Sequence, residues 1–209
     1  MARMDQSEDG ALLQRWRAGD SAAGQELVQR HMTVLYRFFR TKVDRDVDEL
    51  IQRTWLALLE ARAPFRGDSQ FRTFLLGFAR MKLLERFRAD RREDERLDWG
   101  TVSVADLGIS PSRWVADRQE HRLLLQALRR IPFDHQVALE LYYFESLDSR
   151  QIADVLGVSP NTMRSRLVRA RAALEAMLRT LEDDGAALES TAADLEGWAR
   201  SLKAIVDAS

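Results

Sequence analysis

The 209-residue chain contains no cysteine and only three histidines. Without cysteine it can form no disulfide framework, thiol nucleophile or cysteine-based zinc site, and a reducing compartment suits it. His31, His121 and His135 lie far apart and show no metal-ligand spacing. No run of eighteen apolar residues occurs, and the start MARMDQSEDG is unlike a secretory signal. We therefore expect a soluble cytoplasmic protein with no metal, no cofactor and no membrane partner.

The chain also lacks an excess of charge of either sign, because 32 Lys and Arg oppose 33 Asp and Glu. This balance conceals opposed segments. Residues 44–49 (four acids, one base) carry −3, and residues 181–209 (seven acids, two bases) carry −5. Residues 80–92 (six bases, two acids) and 150–171 (five bases, one acid) each carry +4. A charged run alone is typical of a solvated helix face, so a polyanion partner needs a further pattern to support it.

Helical periodicity dominates the sequence, and alternating strand patterns with hairpin turns are lacking. The pattern predicts an all-α protein of two small helical domains. Periodicity fails over residues 93–112, where charges, two glycines and Pro111 are typical of a linker. We predict a first domain over residues 1–92, a second over 113–181, and an acidic extension over 182–209 that forms a C-terminal amphipathic helix.

Acidic residues mark the predicted starts of the first three helices. Asp9 is placed to cap a short helix that ends at Gly19, and Asp20 to cap the next one. Asp46 and Glu49 form a variant of the capping box before a third helix with a clear apolar stripe.

A fourth predicted helix runs over residues 69–92. Its Phe71, Phe74 and Phe78 lie at core spacing, which favours packing over base stacking. Its basic side chains are better candidates for contacts with a nucleic-acid strand. These are Arg72, Arg80, Lys82, Arg86 and Arg88.

The strongest local pattern is SRQIADVLGVSPNTMRSRLVRARAAL, residues 149–174. Gly157 suits a left-handed turn, Ser159 is a good N-cap, and Pro160 suits the first helical position. This is the sequence form of a helix-turn-helix, whose second helix enters the DNA major groove. The alternative is an ordinary helical hairpin with a solvated basic face.

The second helix of this pattern divides into two faces. Met163, Leu167, Ala170 and Leu174 share the inward face. Outward arginines can pair with phosphate or donate twice to guanine, and polar groups at the helix start suit a phosphate or a base edge. The predicted DNA-binding residues are Ser159, Asn161, Thr162, Arg164, Ser165, Arg166, Arg169 and Arg171.

Together these segments resemble the extracytoplasmic-function (group IV) sigma factors of bacterial RNA polymerase, which carry only sigma regions 2 and 4. LLQRWRAGDSAAGQELVQRH is similar to region 2.1 and DVDELIQRTWLALLE to region 2.2. PFRGDSQFRTFLLGFARMKLLERFRADRR is similar to regions 2.3 and 2.4, and LELYYFESLDSRQIADVLGVSPNTMRSRLVRARAAL to region 4.2. The resemblance covers about residues 12–178, and four motifs in the family's order are more specific than a lone helix-turn-helix.

The resemblance implies a non-enzymatic alternative sigma factor that binds core RNA polymerase, at the β′ clamp and the β flap, and promoter DNA. The helix-turn-helix would read the minus-35 element. The residues implied for the minus-10 element are Arg72, Arg80, Met81, Lys82, Arg86 and Arg88. Those implied for polymerase binding are Asp48, Glu49, Gln52, Arg53 and Leu56.

Two residues depart from the family's pattern. Arg53 stands where an acid is common and can pair with Glu49 one turn away, which reduces the negative charge offered to the polymerase. In some relatives a phosphorylated threonine in region 2.2 supplies that charge, so Thr54 is a candidate phosphorylation site, although its helical phase is near the buried stripe. Met81 stands where Asn is common and cannot bind a base through an amide, so the minus-10 preference would differ from the family norm.

Other classes of function and of control stay open. A free-standing helix-turn-helix regulator would dimerise on a palindrome, and an adaptor would bind protein alone. A helical enzyme is disfavoured, since the sequence has no phosphate-cradling glycine loop and no cluster of His and carboxylates. The tail could cap the second domain, dock on polymerase or a regulator, or fold back on the basic segments. Candidate regulatory partners are an anti-sigma factor and a Ser/Thr kinase.

Overall fold

The computed structural model describes residues 2–61, 71–89, 98–107 and 119–183, together with residues 197, 200, 203 and 204. Within these residues the chain forms no strand, only an isolated β-bridge between Ser103 and Pro132. The helices are α1 (Ala2–Arg17), α2 (Ser21–Arg40), α3 (Val47–Glu60), α4 (Phe71–Ala89), α5 (Gln119–Arg130), α6 (Phe133–Tyr143), α7 (Ser149–Leu156) and α8 (Pro160–Asp183). The all-α prediction is confirmed. None of these described helices is both long and apolar enough to cross a bilayer.

The turn between α1 and α2 forms as predicted. Gly19 adopts a left-handed φ of 100°. Oδ1 of Asp20 accepts hydrogen bonds from the backbone N–H groups of Ala22 and Ala23, both at 3.1 Å. The first N–H groups of a helix lack intrahelical partners, so this cap stabilises the start of α2. The Ala23 N–H and the Arg15 guanidinium lower the pKa of the Asp20 carboxyl.

Two other predicted caps, at Asp9 and Asp46, are wrong, because both carboxylates contact side chains of other helices instead. α1 begins at Ala2, so Asp9 lies inside the helix and is buried against α2. Its Oδ2 is 2.8 Å from Nε2 of His31. Asp46 precedes α3 in a left-handed conformation but makes no side-chain cap, and its Oδ2 forms an ion pair with Nη2 of Arg86 on α4 at 2.9 Å.

Helices α1 to α4 form the first half of the molecule. α3 buries one stripe against its neighbours, and Trp55 on that stripe lies 5.6 Å from the ring of Trp16 on α1. α4 packs on α2 and α3 and buries most of its apolar side chains. These contacts fix the opposite face of α3 at the surface.

The described part of the predicted linker, residues 98–107, is packed rather than extended between the halves. Trp99 lies between Phe87 of α4 and Phe133 of α6, at ring distances of 6.0 and 5.5 Å. Phe87 and Phe133 also meet edge to face at 5.7 Å. The backbone N–H of Phe133 donates to the carbonyl of Val102 at 2.8 Å. One apolar core therefore runs through both halves, and the predicted domain boundaries stay a prediction.

Helices α5 to α8 form the second half, and α7 also packs against α4 of the first. The predicted C-terminal amphipathic helix falls largely outside the described residues.

Candidate nucleic-acid interface

The turn between α7 and α8 has the geometry of a helix-turn-helix. α7 begins with a capping box, in which Asp148 accepts from the backbone of Gln151 and the Gln151 side chain accepts from the backbone of Asp148. It ends at Gly157, whose φ of 69° suits glycine. Oγ of Ser159 then accepts from the backbone N–H of Thr162 at 3.1 Å and caps α8, as predicted.

The two faces of α8 separate as the sequence predicts. The inward residues Met163, Leu167, Ala170 and Leu174 are all buried. The outward side chains Asn161, Thr162, Arg164, Ser165 and Arg169 are exposed.

Several outward groups of α8 are held by local hydrogen bonds. Arg164 donates to Oδ1 of Asn161, and Oγ of Ser165 donates to the carbonyl of Thr162 at 2.9 Å. Val168 lies among them with 64% of its surface exposed. An apolar side chain on such a face suits a thymine methyl group.

Two predicted DNA contacts of α8 turn toward the protein instead. Nη1 of Arg166 donates to Oδ2 of Asp134 on α6 at 2.8 Å. Arg171 donates from Nε to the hydroxyl of Tyr143 at 3.1 Å and stacks 4.8 Å above the ring of Tyr142. In this conformation, then, neither guanidinium projects from the outward face.

The basic side chains of α4 are also largely engaged. Nη2 of Arg80 donates to Oδ1 of Asp134 at 2.8 Å. Arg72 forms a looser ion pair with Glu145, at 3.6 Å. Lys82 pairs with Glu85 at 2.9 Å, and Arg86 pairs with Asp46 as described above. Of the predicted minus-10 residues, Arg88 and Met81 are the exposed ones.

Met81 lines an open groove of about 230 Å³ between α4 and α7. Phe74 and Phe78 lie in the same groove, half-buried and edge to face at 5.1 Å. Asp154 of α7 closes its other side. Phe71 is fully buried, so the predicted packing role holds for Phe71 and only in part for the other two.

The predicted polymerase-binding residues lie together on the exposed face of α3. They are Asp48, Glu49, Gln52, Arg53 and Leu56. Nη2 of Arg53 forms an ion pair with Oε1 of Glu49 at 2.6 Å, which reduces the negative charge of this face as the sequence suggested. Leu56 is 56% exposed. A large apolar side chain at the surface is typical of a residue that contacts a partner protein.

Thr54 is not accessible for phosphorylation in this structure. Its side chain is fully buried, and its hydroxyl donates to the carbonyl of Leu50 at 2.7 Å. A kinase would have to open α3 first, which argues against the predicted switch.

Three buried acids of the second half face the first half and were not predicted from the sequence. We call Asp134, Glu140 and Glu145 the acidic edge; each is 7% exposed or less. Glu140 pairs with Lys42 and Glu145 with Arg37, both on the first half. Asp134 and Glu140 stand among the apolar residues of α6, and buried acids of this kind need charged partners. The sequence does not show which residues those partners are.

Lys42 is the most enclosed of these charges. Its Nζ donates to Glu140, to the carbonyl of Phe38 at 2.7 Å and to Oγ1 of Thr41 at 3.1 Å. Burial lowers the pKa of the Lys42 ammonium, and the Glu140 carboxylate opposes this. In the described part of the chain, no group of His, Asp and Glu is arranged to hold a metal ion.

Both halves match known families. The family Sigma-70 region 2 matches residues 27–93, and the family Sigma-70, region 4, matches residues 121–174.

Relatives that match over most of their length, and one solved structure, support the same family. The RNA polymerase sigma factor NccH of Alcaligenes xylosoxydans xylosoxydans is 32% identical over 185 residues, which cover 84% of this chain and 97% of the relative. The ECF RNA polymerase sigma-E factor of Haemophilus influenzae is 27% identical over 188 residues, covering 85% and 98%. The structure of CnrH in complex with the cytosolic domain of CnrY superposes with a TM-score of 0.59 at 25% identity, over 83% of this chain and 98% of that one. This chain therefore belongs to the extracytoplasmic-function group of the sigma-70 family and is an alternative sigma factor that initiates transcription.

Proposed function

We propose that this sigma factor binds core RNA polymerase through the exposed face of α3, reads the minus-35 element with α8 and reads the minus-10 element with α4. The observation that carries the proposal is α8 itself. It is capped after a helix-turn-helix turn, buries one apolar stripe, and presents polar and arginine side chains on the opposite face. That is the arrangement with which such a helix enters the major groove.

For the minus-35 element, the roles divide by position on α8. Ser159, Asn161 and Thr162 lie at the helix start, where backbone N–H groups favour a phosphate. Arg164 and Arg169 are exposed further along, where a guanidinium can donate twice to a guanine. Ser165 supplies a hydroxyl on the same face, and Arg166 and Arg171 would join it after leaving their present partners.

For the minus-10 element, α4 carries basic side chains and also lines a groove that contains aromatic rings. Arg88 and Met81 are exposed on this helix, and Phe74 and Phe78 line the groove. Basic groups beside aromatic rings are a general solution for holding a single strand. Arg72, Arg80, Lys82 and Arg86 would add contacts to the strand backbone.

The exposed face of α3 suits the β′ clamp, because it carries acids at its start and the exposed apolar side chain of Leu56 further along. The second half would contact the β flap. We further propose that the protein acts in the cytoplasm without enzymatic activity of its own. An anti-sigma factor is a fitting partner, since CnrH was solved in complex with the cytosolic domain of CnrY.

The test is transcription by purified chain and core RNA polymerase on a DNA library randomised upstream of a reporter sequence. We expect defined start sites only when both proteins are present. Specific DNA binding by the free chain, with no initiation in the presence of core polymerase, would overturn the proposal in favour of a free-standing regulator.

A further inference from the structure

The groove between α4 and α7 has the size of a site for a small molecule. Its volume is about 230 Å³. Drug-sized sites span roughly 300–1,000 Å³, so a ligand that fills this groove is smaller, with one or two rings. The lining comes from both halves, since α4 supplies most of it and α7 supplies Asp154.

The α4 side of the groove is apolar and aromatic. Phe74 and Phe78 are half-buried, with ring centroids 5.1 Å apart and planes at 79°. Met81 lines the same groove and is 40% exposed. Aromatic faces and a thioether favour a flat aromatic ligand. A Cβ atom on Gly77 would meet nothing within 4 Å, so the groove has open space over this turn of the helix.

The lining also contains two polar groups without partners. Thr73 is 2% exposed, and its buried hydroxyl has no hydrogen-bond partner among the described residues. Asp154 is exposed, and within the described part of the chain its carboxylate forms no hydrogen bond or ion pair. The three acids of the acidic edge, in contrast, are all ion-paired.

These two groups indicate the chemistry of the ligand. A buried hydroxyl without a partner is costly, and an N–H group of a ligand would satisfy it. A carboxylate beside aromatic rings attracts a cation, because the ring faces are also negative. The groove therefore favours a ligand that combines an aromatic ring with a positively charged N–H donor.

We propose that the groove between α4 and α7 binds a small aromatic ammonium ion, with one or two rings and a protonated amine. The rings pack against Phe74, Phe78 and Met81. N–H groups of the ligand donate to the carboxylate of Asp154 and to the hydroxyl of Thr73. The charge of Asp154 disfavours anions of the same size.

Binding of such an ion would cover side chains that the proposed function assigns to the minus-10 strand. The ligand and the strand would then compete for Phe74, Phe78 and Met81. This consequence rests on the proposed function, whereas the binding itself does not.

The first test is calorimetric titration of the full chain with phenethylamine, and with phenethyl alcohol as a neutral probe of nearly the same shape. Both probes suit the aromatic side of the groove, but only the amine carries a charge. We expect saturable binding of the amine at one site, about fivefold tighter than binding of the alcohol, as for an exposed ion pair.

Asp154→Asn keeps the shape of the side chain and removes its charge. This variant should bind the amine and the alcohol with equal affinity, because the carboxylate alone distinguishes them. Asp154 is exposed, so the variant should fold like the unaltered chain. Glu85→Gln is the matched control, since it removes an exposed acid of α4 outside the groove. It should keep the preference for the amine.

Two variants of α4 test the place of binding. Gly77→Leu puts a side chain into the open space of the groove and should weaken binding of both probes by about tenfold or more. Leucine favours a helix more than glycine does, so this variant should fold. Thr73→Val removes the buried hydroxyl at nearly constant shape and should weaken binding of the amine about threefold.

The outcomes separate the cation site from the proposed function. Equal affinities of the unaltered chain for the amine and the alcohol would overturn the site, because they would show an apolar cavity only. Absence of saturable binding would also overturn it, as expected if residues 182–209 cover the groove in solution. Binding that Gly77→Leu leaves intact would place the ligand elsewhere and overturn it too. The titrations contain neither DNA nor polymerase, so their failure leaves the proposed function standing, and lack of initiation in the transcription assay leaves the cation site standing.

Discussion

Nζ of Lys42 and the carboxylate of Glu140 form an ion pair that joins the two halves across 98 residues of sequence. The lysine side chain is fully buried, and that of Glu140 is 4% exposed. Thr41 and Gln136 also donate to the carboxylate, at 3.0 and 2.8 Å. A buried pair of this kind costs desolvation, so its removal from one side only is far more damaging than its replacement as a whole.

We therefore expect Lys42→Met to destabilise the protein by about 3–5 kcal/mol, because Glu140 is left buried and charged. The double variant Lys42→Met with Glu140→Leu should recover most of that loss. Urea denaturation followed by tryptophan fluorescence measures both. A loss below about 1 kcal/mol for the single variant would show that the pair is solvated in solution.

Gly24 and Gly77 both lie within helices, so the same substitution can be compared at the two positions. A Cβ atom at Gly24 would lie 2.5 Å from ring atoms of Trp16, whereas one at Gly77 would meet nothing within 4 Å. We expect Gly24→Ala to cost about 1–3 kcal/mol through displacement of the Trp16 ring. Gly77→Ala should stabilise by about 0.5–1 kcal/mol, because alanine restricts the unfolded chain. Equal effects in thermal denaturation would contradict the packing of α1 on α2.

The lowered pKa of His135 should make the stability of the fold depend on pH. Burial, with Arg166 and Arg169 nearby, lowers the pKa of its imidazole, although Asp134 opposes the shift. The unfolded chain then takes up a proton near pH 6.5 and the folded chain only at lower pH. Stability should fall as the pH drops from 6.5 to the folded pKa and stay level with respect to this group below it.

Thermal denaturation at several pH values between 7.5 and 5 measures this dependence. His135→Gln should remove part of the loss on acidification. Identical pH profiles for the two proteins would show that His135 titrates normally.

The exposed side chain of Leu56 should contribute to the affinity for core polymerase. Leu56→Asp should weaken binding to core polymerase about tenfold or more, since an exposed apolar contact is replaced by a charge. Folding stability should not change, because the side chain is 56% exposed. Gln29→Asp, on the exposed surface of α2, is the control. Equal affinities of the two variants in a competition assay would exclude this face of α3 from the polymerase contact.

Local patterns in the sequence predicted those features that local chemistry decides. The cap at Asp20, the turn at Gly157 and the cap at Ser159 each depend on a few neighbouring residues, and each was confirmed. The buried stripes of α3 and α8 followed from helical spacing in the same way.

Features decided by distant partners could not be predicted. Asp46 had the spacing of a capping box, yet Arg86 takes its carboxylate. The pairs Arg80–Asp134 and Arg37–Glu145 span 54 and 108 residues, and nothing in either segment specifies the other. The same limit applied to Arg166, whose helical position suited DNA while its partner lay on α6.

We propose that one chain reads two separate promoter elements on behalf of RNA polymerase. Sequencing the promoters that core polymerase and this chain transcribe from a randomised library tests this proposal. We expect two preferred blocks at a constant spacing, with Arg169→Ala relaxing only the upstream block and Arg179→Ala, on the same helix beyond the reading surface, relaxing neither. A single palindromic block, or a preference that Arg169→Ala leaves intact, would contradict the claim.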